Sequence, residues 1–296
     1  MPGGVGNQLF ALFASRFFYE YSNHEIRLNF TTIDRHHTEY VYALYSIFLN
    51  DEGYNVNSPK FGDHLLPIYY PKHRVSRKAL KGFIDQNRKV FDPNYDRVEH
   101  AELFLNMLPR HRRLPLRVSG YFADFEFYDR LKPSNRKISL TEYSERYIEE
   151  ELRISKSKTL GIHLRLGDFL KNPKTIGILS DEYYQSSIEE FSTGYERIIV
   201  FTDDTLLAQK RLKNWKIKAQ IDVVRSSTKT NPLEDLLLLS NCSGIITSNS
   251  TFSFWAAKLS SNAQVVYPTT FRKDNFTEIA SIPKNWKSQQ SLWLEN

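Results

Sequence analysis

Cysteine is nearly absent: Cys242 is the single one in 296 residues. No disulfide can form within the chain, and no metal site built on cysteines is available. The apolar and small neighbours of Cys242 read it as a buried structural thiol. Long hydrophobic runs are missing too, and none approaches the roughly 20 residues that cross a bilayer. The opening MPGGVGNQLF lacks a basic stretch followed by an apolar core, so the expectation is a soluble, cytoplasmic protein. Charge of one sign is scarce, with 40 Lys and Arg against 34 Asp and Glu, a net +6 spread along the chain. A dedicated nucleic-acid binder would carry a Lys/Arg block interleaved with aromatics. The nearest stretch, RHRRLPLR at 110–117, is short and broken by Pro115. It reads as a solvated loop or as a patch for peripheral contact with a membrane surface, and no nucleic-acid partner is expected. Asn-x-Ser/Thr triplets at Asn29, Asn241, Asn249 and Asn275 carry little weight without a secretory leader.

What is present is a core-forming composition, 41% apolar and 14% aromatic, long enough for two domains. The chain opens on glycines, with Gly3, Gly4 and Gly6 running into Asn7 and Gln8. Phe10, Phe13, Ala14, Phe17 and Tyr21 then follow at helical spacing. A glycine loop that opens onto a helix lets the backbone approach a ligand, and the helix start offers N–H groups to an anion. Strands are expected at 26–30, 65–70 and 118–122, a helical or extended aromatic stretch at 40–49, and an aromatic-rich segment at 123–131. Prolines punctuate this half heavily. A helix over 139–152 links it to the second half and puts the domain division at 1–150 and 151–296.

Beyond that helix the pattern is regular. Strands at 159–164, 198–201, 221–224, 244–247 and 264–267 alternate with helices at 181–191, 205–215, 233–239 and 252–259. Such alternation with short loops predicts an α/β fold with a parallel, doubly wound sheet, whose strand carboxyl ends share one rim. His163, Arg165, Asp203, Asp204, Ser248, Asn249 and Ser250 then become neighbours despite their distance in sequence. Arg165 suits a phosphate. The two aspartates suit sugar hydroxyls or the amino group of a purine, or else cap the next helix. The turn from Ser248 through Thr251 to Phe252 is an anion-binding helix start, which Ser250 or Thr251 can cap. Together they describe a pocket for a nucleotide or nucleotide sugar.

Several stretches, in order, resemble the α-1,2-fucosyltransferases, the eleventh family of glycosyltransferases. GGVGNQLF at 3–10 is similar to the GG-x-GNQ-x-F signature, VSGYFADFEFY at 118–128 to a GYFQ-type segment, and GIHLRLGDF at 161–169 to the H-x-R-R-x-D motif. LSDEYYQSSIEE, VFTDD, EDLLLLSNCSGIITSNSTFSFWAAKL and VVYP resemble the later blocks. The resemblance implies a GT-B-like pair of Rossmann-type domains, with an acceptor-side domain over 1–150 and a GDP-fucose-binding domain over 151–296. It further implies inverting transfer of L-fucose from GDP-fucose to the 2-hydroxyl of a terminal β-galactoside, on an oligosaccharide or glycolipid, without a required metal. Arg165 matches the arginine that binds the donor diphosphate. His163 and Asp168 match the other fixed positions, and Gly4, Gly6, Asn7 and Gln8 would reach donor or acceptor. Asp168 is the candidate base with His163 second; orienting Arg165 is the competing part for Asp168.

Three positions depart from that pattern. Leu166 stands where most members carry a second arginine, although a single-arginine form occurs in the related protein O-fucosyltransferases. Ala123 replaces a glutamine, and Phe254 a tryptophan. A protein O-fucosyltransferase-like enzyme and a non-catalytic sugar-nucleotide-binding protein are the alternative readings.

Overall fold

The computed structural model describes residues 4–22, 95–97, 100–107, 117–119, 122–140, 143–171, 173–191, 194–217, 220–225, 231–274 and 279–295. The strands expected at 26–30 and 65–70 and the aromatic stretch at 40–49 lie outside the described residues, as does most of the basic stretch at 110–117. The chain divides into two compact units. One holds Met1–Pro2, Phe10–Ile33 and Phe48–Lys137; the other holds Gly3–Leu9, Asp34–Ile47 and Ile138–Asn296.

The first unit holds most of the glycine-led helix α1, Val5–Ser22, which is apolar on nearly every face and buried accordingly. Its aromatic residues meet those of the later segments of that unit. The Phe18 ring lies 4.2 Å from that of Phe104 in α2 (Ala101–Met107), and the Phe17 ring 5.4 Å from that of Phe127 in α3 (Glu126–Asp129). A short parallel pair, β1 (Tyr95–Arg97) and β2 (Arg117–Ser119), and a 3-10 turn, Pro133–Arg136, also belong to this unit. The aromatics at 123–131 therefore pack, as their spacing suggests. A second Rossmann-type domain would rest chiefly on residues outside those described.

The second unit is α/β. Helix α4, Glu145–Lys156, leads into β3, Thr159–Leu164, and α5, Asp181–Glu189. Then come β4 (Arg197–Thr202), α6 (Thr205–Leu212), β5 (Gln220–Arg225), α7 (Pro232–Ser240), β6 (Gly244–Ile246), α8 (Thr251–Leu259), β7 (Gln264–Pro268) and β8 (Lys287–Gln289). All six strands are parallel, in the order β5-β4-β3-β6-β7-β8. Every residue of β3 is buried, as a central strand covered on both faces requires. The order runs outward from β3 in one direction through β4 and β5, then reverses to β6, β7 and β8. The topological switch point, where open α/β sheets bind ligands, is thus the crevice beyond the carboxyl ends of β3 and β6.

Two expectations change. Helix α4 begins at Glu145 rather than 139 because Ser144 caps it, accepting the Tyr147 N–H at 3.2 Å. Strand β8 is an addition: its sequence, Lys-Ser-Gln, is that of a polar edge strand and carries no apolar signal.

Candidate functional site

Arg165 follows β3 directly and turns across to the end of β4. Its Nε lies 3.2 Å from Asp203 Oδ2, and a quarter of its side chain is exposed. The other oxygen of Asp203 accepts the Leu166 N–H at 2.8 Å, so one carboxylate fixes both the guanidinium and the backbone beside it. The Arg165 guanidinium carbon also lies over the ring of Phe169, 5.3 Å from the ring centre. Asp204 does something different: it caps α6, accepting the Leu207 N–H at 3.0 Å. Of the two adjacent aspartates, one orients the cation and one starts a helix.

His163 is buried at the end of β3. Its Nδ1 shares a 2.7 Å hydrogen bond with Ser248 Oγ, and its ring stacks on Phe252 at 4.9 Å. Burial pushes its pKa well below 6.5; nearby Arg165 adds to that, and Asp203 opposes it. The ring is therefore neutral and ties β3 to the β6–α8 loop. Two tyrosines of α5 brace the same place from below. Tyr184 donates to the His163 carbonyl at 3.2 Å and Tyr183 to the Thr247 carbonyl at 2.8 Å. Burial raises the pKa of both phenols, keeping them protonated donors.

The start of α8 is not closed by a side chain. Ser250 occupies the capping position with extended backbone, φ −134° and ψ 131°, but makes no side-chain cap, so the capping expected of it is not realised. Ser253 folds back instead, its Oγ accepting the Ser248 N–H at 3.2 Å. Gly6, in the first turn of α1, packs against this helix start. A Cβ there would stand 2.4 Å from the Thr251 carbonyl carbon and 2.5 Å from the Phe252 nitrogen. Only glycine allows that approach. The glycine loop and the Ser-Asn-Ser-Thr-Phe turn, at opposite ends of the chain, are therefore one structure. Gln8 is buried within it, Asn7 is half-buried, and Gly4 faces open space.

Asn249 is buried, and its amide donates to the Ile176 and Gly177 carbonyls, each at 3.3 Å. Asp168 opens a 3-10 turn, Asp168–Lys171, immediately beyond Arg165; its side chain lies outside what the structure describes. Among the described residues no group of three or more His, Cys, Asp or Glu is arranged to hold a metal ion. None of their helices is long and apolar enough to cross a membrane. The supporting parts played by Tyr183, Tyr184 and Gly177 are not legible in the sequence. A pair of tyrosines on one helix looks like ordinary core until its hydroxyls are seen to meet two strand ends.

Residues 124–290, more than half of the chain, match the family described as Glycosyl transferase family 11. The chain belongs to this family. The chain is 33% identical over 118 residues to the O-antigen biosynthesis glycosyltransferase WbnK of Escherichia coli, covering 38% of each. It is 26% identical over 223 residues to galactoside 2-alpha-L-fucosyltransferase Sec1 of Mus musculus, covering 71% of this chain and 57% of that one. An alpha-1,2-colitosyltransferase of Escherichia coli is 27% identical over 138 residues, 44% of this chain and 47% of that one. The chain thus spans between about two-fifths and three-fifths of the length of these relatives. Among solved structures, POFUT1 in complex with GDP aligns with 90% of this chain and 95% of its own, at a TM-score of 0.46 and 14% identity. A mutant of Arabidopsis thaliana FUT1 in complex with GDP gives the same TM-score at 12% identity, over 90% of this chain and 68% of that one.

Proposed function

We propose that this family 11 protein transfers L-fucose from GDP-fucose to the 2-hydroxyl of a terminal β-galactoside, inverting the anomeric carbon. The observation that carries the reading is the pairing of Arg165, pre-oriented by Asp203, with the uncapped start of α8 at the switch point of the sheet. As the bond from fucose to diphosphate breaks, negative charge grows on the leaving GDP. A fixed guanidinium and the N–H groups of a helix start stabilise that charge without having to reorganise. They supply positive charge of the kind a divalent metal supplies elsewhere, so transfer is expected to proceed in EDTA.

The acceptor hydroxyl attacks from the face opposite the diphosphate and must give up a proton. We assign that proton to Asp168, which follows Arg165 by three residues. His163 has its Nδ1 committed to Ser248 and its ring covered by Phe252, so its proposed part is positioning. Residues 151–296 are proposed to hold the donor and residues 1–150 to face the acceptor, with Gly4, Asn7 and Gln8 beside the helix start that Gly6 contacts.

The test is a donor screen against oligosaccharides ending in β-galactose, with the linkage of the product read by NMR. Transfer from GDP-fucose giving an α-1,2 linkage is the expected result. Transfer from another nucleotide sugar alone would overturn the donor assignment. Similarity to a colitosyltransferase makes a colitose-carrying nucleotide the first alternative to include. Asp168→Asn is expected to abolish transfer while leaving GDP binding intact; a near-normal rate would remove the base assignment.

A further inference from the structure

The loop that leaves β3 with Arg165 returns to α5 only at Asp181, and the structure pins its far end by three separate devices. The tail runs antiparallel to it: the Ser180 N–H donates to the Leu292 carbonyl and the Leu294 N–H to the Ile178 carbonyl, both at 2.8 Å, with Leu179 paired to Trp293. Asn249, from the β6–α8 turn, donates to the Ile176 and Gly177 carbonyls. The turn after β7 adds the Lys273 N–H to the Ile176 carbonyl at 3.2 Å and the Asp274 N–H to the Thr175 carbonyl at 3.3 Å. At the centre sits Gly177, with φ +77°; a Cβ there would stand 2.6 Å from the Trp293 ring. The tail is itself fastened beside the β7 end, where Ser291 Oγ accepts the Thr270 N–H at 2.9 Å.

None of these contacts is needed to form the sheet, whose strands are already paired. They act on one loop. Its near end is fixed by Asp203 through Leu166, and Phe169 within it flanks the guanidinium. We propose that Trp293 and Asn249 are positioning residues, which hold the β3–α5 loop from its far end and so set Arg165 and the anion site. An oriented cation is worth more than the same cation on a free loop, because orientation need not be imposed on binding. Asn249 then serves the donor through the loop rather than by touching it. The link to an anionic donor rests on the proposed fucosyl transfer; the clamping of the loop does not.

The experiment compares the full chain with Trp293→Ala, Trp293→Phe, Asn249→Ala and the double alanine variant. Two readouts are taken below the melting temperature of every variant. The first needs no ligand: the rate of trypsin cleavage after the exposed Lys174, with native hydrogen exchange of 166–171. The second is the dissociation constant for GDP by calorimetry.

Trp293→Ala is expected to speed cleavage and to weaken GDP binding about tenfold, the equivalent of about one good hydrogen bond. Trp293→Phe should restore both. The double variant should lose less than the sum of the singles, since both residues act on one loop. Unchanged cleavage and exchange in Trp293→Ala overturn the clamp. Faster cleavage with GDP affinity kept within twofold overturns its bearing on the anion site, and additive losses return Asn249 to direct contact. If the unaltered protein binds no GDP, the donor reading fails, and the clamp is then judged by the ligand-free readout alone.

Discussion

Arg165 pairs through its Nε with a carboxylate that also accepts the Leu166 N–H, so one side chain holds the cation by charge and the backbone next to it by a hydrogen bond. Asp203→Asn isolates the charge, because an amide oxygen can still accept from Leu166. Losing a charge-assisted partner is worth about 1.5–3 kcal/mol, so steady-state kinetics should show kcat/KM for transfer falling about 10–100-fold. The same pair is present in the ligand-free fold, so the melting temperature should fall as well, by about 3–10 °C. His163 makes a second prediction, on pH. Its folded pKa is depressed, so the unfolded chain binds a proton that the folded one refuses. Its contribution to stability is whole above 6.5 and is lost progressively as pH falls from there toward the folded value. His163→Gln should flatten the acid side of a plot of melting temperature against pH. An unchanged slope between about pH 6.5 and 4 would show that other groups set it.

At the scale of elements, α4 shows why helix starts are hard to read. Leu140 and Tyr143 continue the helical spacing backwards from Tyr147, which suggests a start near 139. The structure begins the helix at Glu145 because Ser144 caps it, and Glu234 of α7 accepts from both the Ser144 N–H and its hydroxyl, each at 2.7 Å. That tertiary partner is 90 residues away in sequence and leaves no local signal. Ser144→Ala removes the cap, about 1 kcal/mol, and half of what Glu234 bonds to, about 1–3 kcal/mol. A thermal melt should fall by about 4–10 °C. By contrast, β3 is legible to the residue, since Leu160, Ile162 and Leu164 alternate with Gly161, His163 and Arg165 and the run ends at the turn residue Gly167. Strand β8 and the tail are not, because polar edge strands and backbone pairing carry no hydrophobic pattern. Within the site, sequence alone brings Arg165, Asp203, His163 and Ser248 to one place. It cannot say which aspartate caps and which orients.

For the molecule as a whole, the two units make a directional prediction. A ligand that binds only the folded state at about 100 times its dissociation constant adds about 2.7 kcal/mol, so GDP should raise the melting temperature by about 5–10 °C. Hydrogen exchange should place the protection at 165–167 and 250–254 rather than at 10–22. Protection confined to the first unit would move the donor site there.

Leu166 is wholly buried, in the apolar cluster that also holds Leu164, Ile178 and Tyr184. Leu166→Arg would put a guanidinium into that apolar cluster, at a cost of several kcal/mol. The single arginine of this motif and the apolar packing beside it are therefore one arrangement. An engineer adding a second arginine must first open that pocket, so position 166 governs how firmly the loop sits as well as how much charge it carries.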